Sequence, residues 1–170
     1  MTMPDRIIQK YGSPVLRQKA EIVGDIDASI VRTIKDMFDT MHHHSGLGLA
    51  GNQIGVLQRL IVLTNLDTGE DLALINPEII SNESEKEFGE EGCLSIPEVF
   101  GKVNRYRKIE VKALNVHGKE IILPAENLLA RVLQHEIDHL DGVLFIDRLS
   151  PTRRLVLAGR LSKIPCVGDN

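Results

Sequence analysis

Four short runs between residues 59 and 123 limit the folds open to this chain more than any other feature: RLIVLT at 59–64, LALINPEII at 72–80, KIEVKAL at 108–114 and KEIIL at 119–123. Several alternate apolar with polar residues at period two, and turn residues such as Asp67, Thr68 and Gly69 stand between them, so they read as strands. The spacers are too short for crossover helices, which leaves mostly antiparallel pairing. Outside these runs the period changes. From Asp27 to about His44, Ile30, Ile34, Met37, Phe38 and Met41 recur at helical spacing, and the pattern ends before Gly46. A second helix is predicted over residues 126–141, with Leu128, Leu129, Val132, Leu133, Ile137 and Leu140 on its buried side and Gly142 as its stop. Ser150 as cap and Pro151 as first residue open a third, which carries Leu155, Val156, Leu157 and Leu161. The fold class is therefore α+β: mostly antiparallel strands packed around a central helix, with an N-terminal and a C-terminal helix beside them.

No repeat, low-complexity stretch or linker interrupts the 170 residues, so residues 1–170 read as a single domain. At that size roughly 70% of the unfolded surface can be buried without a staple. Twenty basic and twenty-four acidic residues give a formal charge of -4 with no basic stripe, which argues against nucleic acid as a direct ligand. The opening MTMPDRIIQKYG has no apolar export core, and no run approaches the ~18 apolar residues of a membrane span. The expected location is cytoplasmic, with no membrane partner. Two cysteines are no disulfide framework. In a reducing compartment a cysteine among polar catalytic residue types binds metal or reacts, which disfavours a bridge from Cys93 to Cys166.

The central helix holds the strongest chemical signal, QHEIDH at 134–139. Residues four apart share a helix face, so His135 and His139 can present two imidazoles to one point, with Glu136 within reach of a water there. Such HExxH helices bind zinc-like cations through three protein ligands and an open position. A third ligand is not found downstream: Phe145 occupies the place where a metzincin has histidine, and no Glu or His follows His139. Asp147 remains, but it could as easily approach the start of the last helix. Upstream, Cys93 is the best candidate, next to Gly92 in a segment expected to pass the helix as an edge strand. Gly46, Gly48 and Gly51 spell a dinucleotide-binding fingerprint, yet a helix precedes them and a strand follows closely, the reverse of what that motif requires. Glycines here serve close backbone approach to a ligand, and Gln53 supplies an amide that can donate to a developing oxyanion.

Taken together and in this order, GLGLAGNQ at 46–53, EGCLS at 91–95 and QHEIDH at 134–139 resemble the three motifs of the peptide deformylases. The similarity extends to YGSPVLRQKA at 11–20, INPEI at 75–79 and GVLFIDRLSP at 142–151, nearly the whole chain. It implies a metal-dependent hydrolase that removes the formyl group from the N-terminal methionine of new polypeptides and releases formate. The metal ligands are then Cys93, His135 and His139, with Glu136 as proton shuttle and Gln53 and the backbone N–H of Leu94 stabilising the formyl oxygen. The methionine side chain is expected among Leu128, Val132 and the segment Gly46, Leu47, Gly48. The family uses Fe(II), and a soft thiolate ligand also suits Zn(II), Ni(II) or Co(II). Its expected partner is an N-formyl-methionyl nascent peptide, met at the ribosome surface by a monomeric enzyme.

The resemblance further suggests that Glu91 pairs with Arg105. Two positions depart from the family pattern. Gly51 replaces an alanine and is expected to loosen the loop bearing Gln53. Arg131 replaces an apolar residue one turn before His135, and either snorkels away from the cleft or narrows it. His42, His43 and His44 end a helix, fan around it and read as exposed. The competing readings are an HExxH-type metallopeptidase and a non-catalytic metal-binding domain.

Overall fold

In the computed structural model, residues 5–166 are described; residues 1–4, part of the stretch read for an export signal, and residues 167–170 lie outside it. Strand β1 (Gly48–Ala50) is followed by β2 (Leu60–Asn65), β3 (Glu70–Asn82), β4 (Lys86–Cys93), β5 (Ile96–Tyr106), β6 (Lys108–Leu114) and β7 (Glu120–Glu126). Helix α1 (Ala28–His43) precedes them, and α2 (Asn127–Leu140) and α3 (Pro151–Leu161) follow. A five-stranded sheet runs in the order β1-β2-β3-β6-β7, and β4 and β5 form a separate two-stranded sheet. All strand pairs are antiparallel, as the short spacers require.

Strand β2 explains why α2 is central. Its side chains alternate between two buried faces. Leu60 and Val62 pack with Ile30, Ile34, Met37 and Met41 of α1. Ile61 and Leu63 pack with Ala130, Leu133, Ile137 and Leu140 of α2. A helix covers each side of the strand. A third apolar cluster joins Val99 and Val103 of β5 to Phe145, Leu149, Leu157 and Leu161, fixing the hairpin against α3.

Helix starts follow local chemistry. Asp27 Oδ1 accepts from the N–H groups of Ser29 and Ile30, and Ser150 Oγ accepts from that of Arg153 ahead of α3, satisfying donors that have no partner inside the helix. Two strands were not expected, β1 and β5; the edge strand expected at Cys93 is the end of β4. The expected strands at 72–80 and 119–123 extend to Glu70–Asn82 and Glu120–Glu126. The buried side assigned to α2 also needs one correction: Leu128, in the first turn, is 47% exposed, because it lines an open cleft. In α3, Leu157 and Leu161 face the core while Leu155 and Val156 face outward.

Candidate metal centre

The β4–β5 hairpin turns through Leu94 and Ser95, so Cys93 sits at the very end of β4, paired with Ile96. This end of the hairpin meets the face of α2 that carries the two histidines. The ligand atoms of Cys93, His135 and His139 all lie within 4.8 Å of one another. Cys93 Sγ is 3.3 Å from His139 Nε2, close to the ~3.5 Å that separates a sulfur from a nitrogen around a tetrahedral cation. His135 Nδ1 is 2.9 Å from Glu91 Oε2. That contact leaves the other ring nitrogen to face Cys93, the arrangement in which a carboxylate orients a ligating imidazole.

Other polar groups are aimed at the same point. Gln53, 1% exposed, anchors its Oε1 on the N–H of Ala50 at 2.9 Å, and its Nε2 lies 3.4 Å from Cys93 Sγ and 3.2 Å from Ser95 Oγ. Glu136 is buried with Oε2 unpartnered among the described residues. An unpaired buried carboxylate oxygen is costly unless a water or ion completes it. The chemistry of the donor set, one thiol and two imidazoles converging beside a free carboxylate oxygen, therefore fits a divalent cation with an open position.

Charge at the site is strongly coupled. Burial pushes the Glu136 carboxyl up to about 7, with the Glu91 charge adding to the rise and His135 opposing it. Burial works against a charged His135, but hydrogen bonds with Cys93 and Glu91 outweigh it and hold that ring well above the ordinary histidine range. Burial and then the neighbouring charge on His135 keep His139 well below it. Glu91 is buried, which alone would raise its pKa, yet hydrogen bonds from Arg105 and His135 bring it down to about 2. The expected pairing of Glu91 with Arg105 is present, at 2.8 Å and 3.0 Å to the two carboxylate oxygens. Arg105 continues to Asp138, and Asp138 to Arg148.

A cleft of about 610 Å³ opens above these groups. Gly46, Leu47, Gly48, Leu128, Val132, Gln53 and Leu94 line it together with Cys93, His135 and Glu136, while His139 does not line it and joins them through the triad. Lys10, Glu90, Glu98 and Arg131 line it too and give it a charged rim. Gly48 is where β1 comes closest to α2: a Cβ there would stand 2.9 Å from Glu136 Oε1. The looser loop expected at Gly51 is not found. A Cβ there would meet the carbonyl oxygens of Val56 at 2.7 Å and Gln58 at 2.8 Å, so the backbone is packed tightly around the missing side chain. Arg131 does not snorkel to solvent; its guanidinium lies on the hairpin backbone. His42, His43 and His44 are exposed and pair with Asp71 or Asp5. Asp147, the alternative ligand, instead takes Arg17 and the N–H of Leu144. Cys93 and Cys166 are both free.

Three residues of consequence were not singled out. Gln134 spans both backbone groups of Tyr106, 3.0 Å from N to Oε1 and 2.8 Å from Nε2 to O, and ties α2 to the hairpin. Asp138 links Arg105 to Arg148. Lys10 donates to Leu94 O at 2.8 Å and steadies the turn after Cys93. The first two were marked by being polar inside an otherwise apolar helix; nothing near Lys10 in sequence marks it.

Fold and site together define a hydrolase built on an HExxH helix, with its Cys–His–His triad completed by a hairpin. The family model for polypeptide deformylase matches residues 5–155. The peptide deformylase of Thermotoga maritima is 46% identical over 158 residues, which is 92% of this chain and 94% of that protein. The chain belongs to the peptide deformylase family. Crystal structures agree: the Legionella pneumophila enzyme superposes with a TM-score of 0.88 at 43% identity, covering 94% of this chain and 95% of that one. The Ehrlichia chaffeensis enzyme in complex with actinonin gives 0.90 at 38% identity, covering 95% and 98%. The metallopeptidase and non-catalytic readings give way to this membership.

Proposed function

We propose that this chain hydrolyses the N-formyl group from the N-terminal methionine of newly made polypeptides, using Cys93, His135 and His139 as the ligands of one divalent cation. The observation that carries this reading is the meeting of that triad with Glu136 and Gln53 at the head of one cleft. When bound there, a divalent cation supplies Lewis acidity, which polarises the formyl carbonyl and makes water a nucleophile near neutral pH. The residues of the chain do the rest. Glu136 accepts a proton from the attacking water and hands it to the amine as the C–N bond breaks, leaving formate and a free N-terminus. The Gln53 amide and the N–H of Leu94 donate to the oxygen that gains charge, each such donor being worth roughly 3 kcal/mol. Leu128, Val132 and the Gly46, Leu47, Gly48 segment hold the methionine side chain.

The cation we assign is Fe(II), on the family resemblance; one thiolate with two imidazoles also accommodates Zn(II), Ni(II) or Co(II). Metal analysis of protein purified without oxygen tests that choice. We place the protein in the cytoplasm, as a single domain over residues 1–170 and a monomer, acting where nascent chains leave the ribosome. No helix among the described residues is long and apolar enough to cross a membrane. The outer face of α3, with Arg153, Arg154 and Arg160 beside exposed Leu155 and Val156, suits contact with a polyanionic surface. Formate release from formyl-Met-Ala, with unformylated peptides as control, tests the activity. Release is expected only from the formylated peptide; cleavage of unformylated peptide bonds would overturn the assignment. The cleft should also take actinonin, read as a rise in melting temperature on adding it.

A further inference from the structure

A guanidinium taken out of water has to be fully hydrogen-bonded. The Arg131 side chain is 12% exposed and lies one turn before His135. Its partners belong to the facing hairpin. Nη2 donates to Glu87 O at 2.7 Å, and Nη1 faces Val103 O at 2.8 Å, Glu91 Oε1 at 3.1 Å and Gly89 O at 3.3 Å. Nη1 carries two hydrogens for these three acceptors, so one hydrogen is shared. Glu87, Gly89 and Glu91 are alternate residues of β4 and face the same way, and Val103 is the β5 partner of Gly89. The fork thus grips both strands at one level.

Gly89 makes room for this grip. A Cβ there would stand 2.7 Å from Arg131 Cζ and 2.8 Å from Nε and Nη2. Two residues beyond Gly89, Glu91 takes Arg131 on one oxygen and His135 on the other, and two beyond that is Cys93. Helix α2 carries two of the three proposed ligands and β4 the third.

We infer that Arg131 is a positioning residue for the metal centre: its guanidinium, seated in the gap at Gly89, fixes the distance between α2 and β4 and so holds the Cys93 sulfur against the two imidazoles. This rests on the triad being the ligand set proposed above. Lysine cannot replace it, since one ammonium cannot hold the acceptors of Nη1 and, at the same time, Glu87 O, the acceptor of Nη2.

The test titrates Co(II) into the metal-free full-length protein, following the thiolate-to-cobalt charge-transfer band and the dissociation constant by competition with a chelator. Arg131→Met is expected to weaken Co(II) binding roughly 10–100-fold and to diminish the band, and Arg131→Lys not to restore either. Gly89→Ala, with the arginine still present, is expected to produce the same defect and keeps the test open should Arg131→Met fail to fold. The double variant should bind no worse than Arg131→Met, because a methionine, with no hydrogen bonds to the hairpin, can swing away from the added methyl. A lowered melting temperature with wild-type affinity and band overturns the inference, as do defects that multiply in the double variant. Wild-type protein without a thiolate band overturns the ligand set itself, a separate failure.

Discussion

Glu136, the proposed proton acceptor, and Gly48 show how a side chain is placed by a residue that has none. β1 approaches α2 so closely at Gly48 that the Glu136 carboxylate fills the space a methyl would need. Gly48→Ala should therefore move the carboxylate without touching a ligand. Catalytic groups displaced by about 1 Å can cost on the order of 100-fold, so a fall of at least tenfold in kcat/KM for formyl-Met-Ala is expected while metal content stays at one ion per chain. Glu136→Gln keeps the shape and removes the proton acceptor. Loss of a positioned general base costs roughly 100- to 10,000-fold in kcat, and metal content should again be unchanged. Retained turnover in Glu136→Gln would show that another group moves the proton.

At the scale of elements, the centre is a joint between one helix and one hairpin, and these two were not equally legible. Helix α2 could be read because its apolar residues repeat at helical spacing while QHEIDH interrupts them with polar residues that need partners. β2, β3, β6 and β7 could be read because they are apolar and border the core. Of β4, KEFGEEGC, only the end at Cys93 could be read, as an edge strand; the rest is charged and mostly exposed, and it exists because β5 pairs with it and Arg131 and Arg105 hold its backbone and its glutamate. In β5 the buried residues do alternate, but Pro97, Gly101 and Asn104 obscure the period. The triad was legible for all that, because ligand chemistry is local to residue type while strand pairing is not. The joint itself is open to test at Gln134, whose amide satisfies both backbone groups of Tyr106. Gln134→Leu leaves them unpaired, at about 1–3 kcal/mol each, less where water can enter. A drop in melting temperature on the order of 10 °C is expected for a chain of this size, measured by calorimetry on the metal-free protein so that ligand binding does not offset it.

Across the whole molecule, distant segments are tied together by ion pairs, and Asp147 holds one such junction. It accepts from Arg17 in the N-terminal region, from the N–H of Leu144 after α2, and from Arg154 in α3. Burial would raise its pKa, but the hydrogen bonds from Arg17 and Leu144 outweigh that and hold it below the ordinary carboxylate value. A carboxylate with a depressed folded-state pKa contributes stability that is fully present above its unfolded value, near ~3.9. That contribution is lost as pH falls through the lower folded value, because the unfolded chain binds the proton first. Asp147→Asn removes this dependence while keeping the size of the side chain. The melting-temperature difference between wild type and Asp147→Asn should be constant from pH 7 to about pH 5 and shrink as pH falls below ~4. A difference that stays constant through that acid range would mean that Asp147 acts through packing alone, and that the N-terminal region, the segment after α2 and α3 are held together by their shared apolar cluster of Leu16, Phe145, Leu149 and Leu157.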